Sequence, residues 1–156
     1  MKTLVVYLSQ KGYMKEVSER ISSRLNCEIH NLADGAPSHT SEYDNIVIAA
    51  AIFARKYPAK MAQFCNNQLN LKRCSHLYFV VGGFEKDNIG TYLKKSINQD
   101  ILTRTKSITY AGAKYDPKEH KTMTHIIMKF MQGNRFVNET AWENIDSLVN
   151  SILESE

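Results

Sequence analysis

The first residues able to do chemistry are Ser9, Gln10, Lys11 and Gly12, which stand between two apolar patterns. Before them, residues 3–8 (TLVVYL) are a continuous apolar run rich in branched side chains, as in a strand buried on both faces. After them, Met14, Val17, Ile21 and Leu25 recur at helical spacing. A short polar loop that leaves a strand and opens a helix presents unpaired backbone N–H groups and the positive end of the helix dipole. With the Ser9 hydroxyl and the Lys11 ammonium as further donors, this loop suits a phosphate. The G-x-x-x-x-G-K-[ST] spacing of a P-loop is absent, and one glycine falls short of the G-x-G-x-x-G dinucleotide turn. A mononucleotide therefore fits better than NAD.

Two later loops carry complementary features. Residues 52–58 (IFARKYP) and 82–92 (GGFEKDNIGTY) start with small residues and hold Phe53, Tyr57, Phe84 and Tyr92. A planar ring slotted between them could stack on these aromatics, each of which alone reads more readily as packing. Gly82 and Gly83 let the backbone approach such a ring. The candidate binding set is Ser9, Gln10, Lys11, Gly12, Tyr13 and Met14 on the phosphate side. On the ring side it is Ala51, Ile52, Phe53, Ala54, Arg55, Gly82, Gly83 and Phe84. No Ser-His-Asp, Cys-His or paired-carboxylate pattern stands out, so no catalytic side chain is assigned. Cys27, Cys65 and Cys74 are odd in number, lack CxxC spacing and lie in or beside apolar stretches. They read as thiols in a reducing compartment, not as a disulfide framework or a zinc site. His120 and His125, five residues apart, would sit about 140° apart around a helix and share no face, so no metal centre is expected.

The elements that must position these loops follow from periodicity. Residues 27–32 alternate weakly, as in a short edge strand, and 33–41 form a loop with Asp34-Gly35 and Pro37. Residues 45–51 (NIVIAAA), 76–82 (HLYFVVG) and 107–113 (SITYAGA) read as further strands. Between them, Pro58 suits a first helical position, with Met61, Ala62, Cys65 and Leu69 on one face, and Ile89, Leu93, Ile97 and Ile101 mark another helix. Residues 122–131 suit a helix that Gly133-Asn134 ends, and Trp142, Ile145, Leu148, Val149 and Ile152 line a last one. Strands separated by helices call for parallel pairing through right-handed crossovers, hence a doubly wound α/β sheet. In such a sheet ligands bind at the carboxyl ends of the strands, where the three loops lie.

With 156 residues, 43% of them hydrophobic, the chain builds one core, and a single domain over 1–156 is expected. The net charge of +4 is too mild for a nucleic-acid arm, and no recognition motif is visible, so no nucleic-acid partner is expected. No apolar run reaches the ~18 to 20 residues of a membrane span. The start of the chain reads as a strand and not as a signal peptide, which implies a cytoplasmic protein. Residues 122–131 hold bulky apolar side chains beside Lys121 and Lys129. They are a candidate for peripheral contact with the inner face of a membrane, against the plainer reading of packing on the sheet.

Strand one with its loop (MKTLVVYLS to Met14) and the lead Tyr43-Asp44-Asn45-Ile46-Val47-Ile48 resemble the flavodoxin-like family. Within it the chain is most similar to the branch of flavodoxin-domain, quinone-dependent protoporphyrinogen dehydrogenases. That likeness rests on Ala51-Ile52 with basic residues just after, residues 110–115 (YAGAKY), residues 127–133 (IMKFMQG) and Trp142-Glu143. The resemblance implies a three-layer sheet of five parallel strands in the order 2-1-3-4-5, with bound FMN. It implies an oxidoreductase passing electrons from a reduced organic substrate to a quinone or a protein. A carrier without its own substrate, and a binding module of this fold that has lost FMN, are the alternatives. Ser9 and Gly12 match the family's phosphate loop, whereas Lys11 and Met14 stand where hydroxyl residues are usual. Lys11 supplies charge in place of a hydroxyl and Met14 does not, which implies weaker FMN binding. Arg55 and Lys56 are expected near the ring, where positive charge would favour the anionic reduced flavin and make its potential less negative.

Overall fold

The computed structural model of the protein describes residues 1–9, 12–115 and 137–155. The apolar runs become strands: β1 (Thr3–Tyr7), β2 (Glu28–Asn31), β3 (Asn45–Ala51), β4 (His76–Gly82) and β5 (Thr105–Tyr115). These five pair in parallel in the expected order, β2-β1-β3-β4-β5. A sixth strand, β6 (Val137–Thr140), extends the sheet by pairing antiparallel with β5. Because side chains alternate across a strand, each central strand feeds two cores. Leu4, Val6, Ile46, Ile48, Leu77, Phe79 and Val81 face one layer, while Val5, Tyr7, Val47, Ala49, Tyr78, Val80 and Ala111 face the other. Burial on both faces explains why β1, β3 and β4 read as unbroken apolar runs, each large side chain contributing ~1.5–3 kcal/mol.

The second face is covered by α1 (Tyr13–Leu25), through Met14, Val17 and Ile21, and by α5 (Trp142–Glu154), through Ile145, Leu148, Val149 and Ile152. Asp146 of α5 accepts hydrogen bonds from Arg20 (2.9 Å) and Arg24 (2.7 Å), which tie these two helices together. Asn26 ends α1 in the left-handed region, where its N–H reaches back to the carbonyls of Ser22 and Ser23.

The first face is covered by α2 (Ala59–Gln63), which runs straight into a π-helical turn over Phe64–Gln68, and by α3 (Ile89–Ser96) and α4 (Gln99–Thr103). Pro58 is the residue before α2, with extended backbone, and not its first helical residue. The expected single helix through Ile101 is broken at Ile97, which is extended (φ −105°, ψ 134°). Asn66 of the π turn compensates the break: its Nδ2 donates to the Ser96 carbonyl (2.9 Å) and its Oδ1 accepts the Asn98 N–H (2.8 Å).

At the far edge, Gly112 lets β5 change partner. Its φ is +86°, and a Cβ there would lie 2.6 Å from Ala141 N and 2.8 Å from Thr140 Cα, so only glycine fits. Just beyond, the Ala141 N–H donates to the Ala111 carbonyl (3.0 Å) and Asn144 Nδ2 to the Tyr110 carbonyl (3.0 Å). Cys65 and Cys74 are buried, and burial pushes the Cys65 thiol up to about 12, which leaves it unreactive. No helix among the described residues is long and apolar enough to cross a membrane. The helix and membrane contact expected over 122–131 lie outside the described residues.

Candidate functional site

The loops after β1, β3 and β4 converge on a cavity of about 170 Å3 at the carboxyl ends of the strands. Of the candidate set, Ser9, Gly12, Tyr13 and Met14 line it from the β1 side, Ala51, Ile52 and Phe53 from β3, and Gly83 and Phe84 from β4. Gln10 and Lys11 lie outside the described residues. Gly82 sits behind the wall, under the Tyr13 ring. Ala54 and Arg55 are exposed and do not line the cavity.

One end of the cavity gathers hydrogen-bond donors that an anion could use. Gly12 precedes α1 with extended backbone and no side-chain cap. The Lys15 N–H turns back to the Gly12 carbonyl (3.2 Å), which leaves the N–H groups of Tyr13 and Met14 without intrahelical acceptors at the start of the 13-residue helix. Ser9 Oγ accepts the Gly12 N–H (2.9 Å). Its own O–H proton has no acceptor among the described residues, and remains available to donate. A Cβ on Gly12 would lie 3.0 Å from Ser9 Oγ, so the glycine keeps that hydroxyl in place.

Two tyrosines fix the cavity floor. Tyr13 Oη donates to the Gly112 carbonyl (2.9 Å), and Tyr110 Oη donates to the Gly83 carbonyl (2.7 Å). Burial, reinforced by the neighbouring Tyr110, pushes the Tyr13 phenol well above its ordinary value, so it is a permanent donor. Met14 is 2% exposed and packs into the core, so it brings a thioether and no hydrogen-bond donor to the cavity wall.

The ring side is formed by a tight hairpin. Phe53 and Lys56 exchange two backbone hydrogen bonds of 3.0 Å, and the residues between them, Ala54 (φ 49°) and Arg55 (φ 61°), are both left-handed. Such a turn favours Asn and Gly, so its conformation is strained here. Opposite it, Gly83 (φ +145°) approaches Ile52 so closely that a Cβ would lie 3.3 Å from the Ile52 carbonyl oxygen. Phe53 and Phe84, both half-buried, line the cavity from these two loops, and Tyr13 is the aromatic that lines it from α1. Tyr57 and Tyr92 are not ring platforms. Tyr57 is in the core, edge-on to Phe79 with centroids 6.4 Å apart, and Tyr92 donates its hydroxyl to Glu85.

Glu85 gathers the rim. It accepts from Tyr92 Oη, from Asn88 Nδ2 (3.2 Å) and from Arg55 Nε (3.3 Å), and these bonds hold its carboxyl below the usual range. The Arg55 charge expected beside the ring is therefore paired with Glu85 at the rim, and Lys56 lies on the outer side with it. Among the described residues, the cation that does line the cavity is Lys114 of β5, which pairs with Glu16 on the first turn of α1 (3.3 Å). Sequence reasoning passed over Lys114, together with Leu8 and Ala113. The available signal was that residues 107–113 end at the same edge of the sheet as the three loops. Among the described residues no cluster of His, Cys, Asp and Glu could hold a metal ion.

The sequence profile of the flavodoxin domain matches residues 4–137 of this chain. Among curated proteins the sequence has no significant match. The fold is similar to that of the Streptococcus pneumoniae TIGR4 flavodoxin, at 15% identity over 96% of this chain and 94% of that one, with a TM-score of 0.58. It is similar to the flavodoxin of Fusobacterium nucleatum bound to flavin mononucleotide, at 10% identity over 99% of both chains, with a TM-score of 0.57. An NADH:FMN oxidoreductase in its apo form is 11% identical over 97% of this chain and 90% of that one, with a TM-score of 0.54.

Proposed function

The chain belongs to the flavodoxin-domain family, and on that premise we propose that it is an FMN-dependent oxidoreductase. The observation that carries this reading is the cavity itself, lined by an uncapped helix start, by a hydroxyl with no acceptor among the described residues, and by Phe53 and Phe84 of the two later loops. These residues fit FMN. The first-turn N–H groups of α1 and the Ser9 hydroxyl would hold the phosphate, and Phe53 and Phe84 would sandwich the ring. Gly83 permits the backbone to come close, and Leu8, Ala51, Ile52 and Ala113 form an apolar wall that excludes water. Bound there, FMN supplies reversible hydride and single-electron transfer, so no nucleophile or acid–base pair is required of the protein. Lys114 brings positive charge to the cavity, tempered by Glu16. The buried Met14 thioether donates no hydrogen bond, which makes phosphate binding weaker than a hydroxyl there would.

The finer reading is an enzyme of the protoporphyrinogen dehydrogenase type, passing electrons from a reduced organic substrate to a quinone or a protein acceptor. It is supported by the likeness over 110–115, because this segment supplies Tyr110, Ala113 and Lys114 to the cavity and its floor. The test is FMN reconstitution followed by a protoporphyrinogen oxidation assay with a quinone acceptor. A yellow protein that turns over supports the full reading. FMN binding without turnover leaves an electron carrier, and failure to bind FMN removes both.

A further inference from the structure

Beyond the hairpin that walls the cavity lies a larger groove of about 680 Å3, between α2 with its π turn and α3. Phe53 lies on the cavity side of the hairpin, while Arg55 and Lys56 lie on the groove side. Lys95 of α3 adds a third cation, its Nζ 6.0 Å from the centre of the Tyr92 ring. None of the residues lining the groove is acidic, and Lys56 and Lys95 make no ion pair among the described residues. The wall between the cations carries amides. The π turn, a rare conformation that occurs frequently at functional sites, places Asn66 and Asn67 there. Asn66 is committed to Ser96 and Asn98, but the exposed amides of Asn67 and Gln63 have no partner among the described residues. The volume lies in the range of small-molecule sites.

We propose that this groove binds an organic polyanion bearing several carboxylates, with Arg55, Lys56 and Lys95 meeting the charges and the Asn67 and Gln63 amides donating at its edge. An anionic group reaching Arg55 competes with Glu85, whose hold on that guanidinium is a single contact of 3.3 Å on a side chain 75% exposed. The role as a redox partner's site, one hairpin away from the ring, rests on the FMN reading; the binding itself does not.

The test is a titration of the full-length, 15N-labelled protein with benzene-1,3,5-tricarboxylate at low salt, followed by amide shifts, with and without FMN. The expected result is saturable binding in both forms, with shifts confined to residues 55–67 and 92–98. Lys56→Gln and Lys95→Gln, at exposed positions that do not touch the core, should each weaken it about two- to fivefold and together about tenfold. Added salt should weaken it further. Inorganic phosphate should bind about tenfold more weakly, since it spans fewer of the cations. Absence of saturable shifts, unchanged affinity in the double variant, or phosphate binding as tightly as the tricarboxylate would overturn the proposal. FMN binding, followed separately by quenching of flavin fluorescence, keeps the two readings apart. Loss of tricarboxylate binding in variants that still take FMN supports the groove. A wild-type chain that binds tricarboxylate in the groove but not FMN retains the site and loses the redox role.

Discussion

Gly82→Ala tests the construction of the cavity floor. A methyl group on Gly82 would overlap Tyr13 Oη, lie 2.6 Å from Tyr13 Cζ and lie 2.9 Å from Met14 Sδ. The backbone itself accepts alanine, so the penalty is steric and falls chiefly on the tyrosine, with a smaller share on the flexible Met14 side chain. Displacing the ring breaks the Tyr13–Gly112 hydrogen bond, about 1 kcal/mol, and adds overpacking strain of about 2 kcal/mol. The Gly112 carbonyl keeps the Gly83 N–H (2.9 Å), so no buried acceptor is orphaned and the total stays near 3 kcal/mol. Tyr13→Phe alone should cost about 1 kcal/mol and should not rescue Gly82→Ala, because Cζ remains in the way. Tyr13→Ala alone should cost about 3 kcal/mol, yet the double variant should lose only about 3.5 kcal/mol, since the new methyl enters vacated space. The coupling of about −2.5 kcal/mol is read from urea unfolding by linear extrapolation, and Gly82→Ala should lower Tm by about 6–12 °C. Additive costs within about 0.5 kcal/mol, or an unaffected Gly82→Ala protein, would refute the argument.

Three further outcomes are expected. Ala54→Asn should stabilise the protein by about 1 kcal/mol in thermal or urea unfolding, because Asn tolerates the left-handed conformation that Ala54 holds at φ 49°. Ser9→Ala should weaken FMN binding about tenfold in a fluorescence titration, by removing one hydroxyl bond of about 1.5 kcal/mol to a charged phosphate. Asp146 is held below the usual carboxylate range chiefly by its hydrogen bonds from Arg20, with Arg24 adding to the effect. Its contribution is therefore complete above the unfolded value of about 3.9 and lost as pH falls through the lower folded value. Asp146→Asn should thus be less stable than wild type at pH 7 and indistinguishable from it at the acid end of a pH series, with the gap narrowing in high salt.

The sheet was legible because burial on both faces forces unbroken runs of branched residues such as Ile46-Val47-Ile48, which no surface helix tolerates. The phosphate end of the cavity was legible too, since Ser9 and Gly12 act through their neighbours in sequence. What lay hidden depends on distant partners. The π turn at Phe64–Gln68 keeps Cys65 buried and Leu69 against the core, a pattern an α-helix would equally give. The break at Ile97 is stabilised by Asn66, 30 residues from the carbonyl of Ser96 that it bonds. Arg55 left the ring because Glu85, on the next loop, claims it, and β6 is four residues of mixed polarity placed by the glycine opposite.

The turn from β6 into α5 bears on how copies of this chain meet. β5 is the last of the parallel strands and, at 11 residues, the longest, and β6 pairs with its final four only. A bare strand edge of that length is a template for chain-to-chain growth of the sheet. Here the carbonyls of Tyr110 and Ala111 are already occupied by Asn144 Nδ2 and the Ala141 N–H, and Lys106 reaches from the same strand to Ser155 on the end of α5. By Asn144, seven residues after β6 begins at Val137, the chain has spent two donors on silencing acceptors that a second molecule would use. The segment that opens the last helix therefore also closes this stretch of the sheet edge, and shortening it would open both carbonyls to a strand from another molecule.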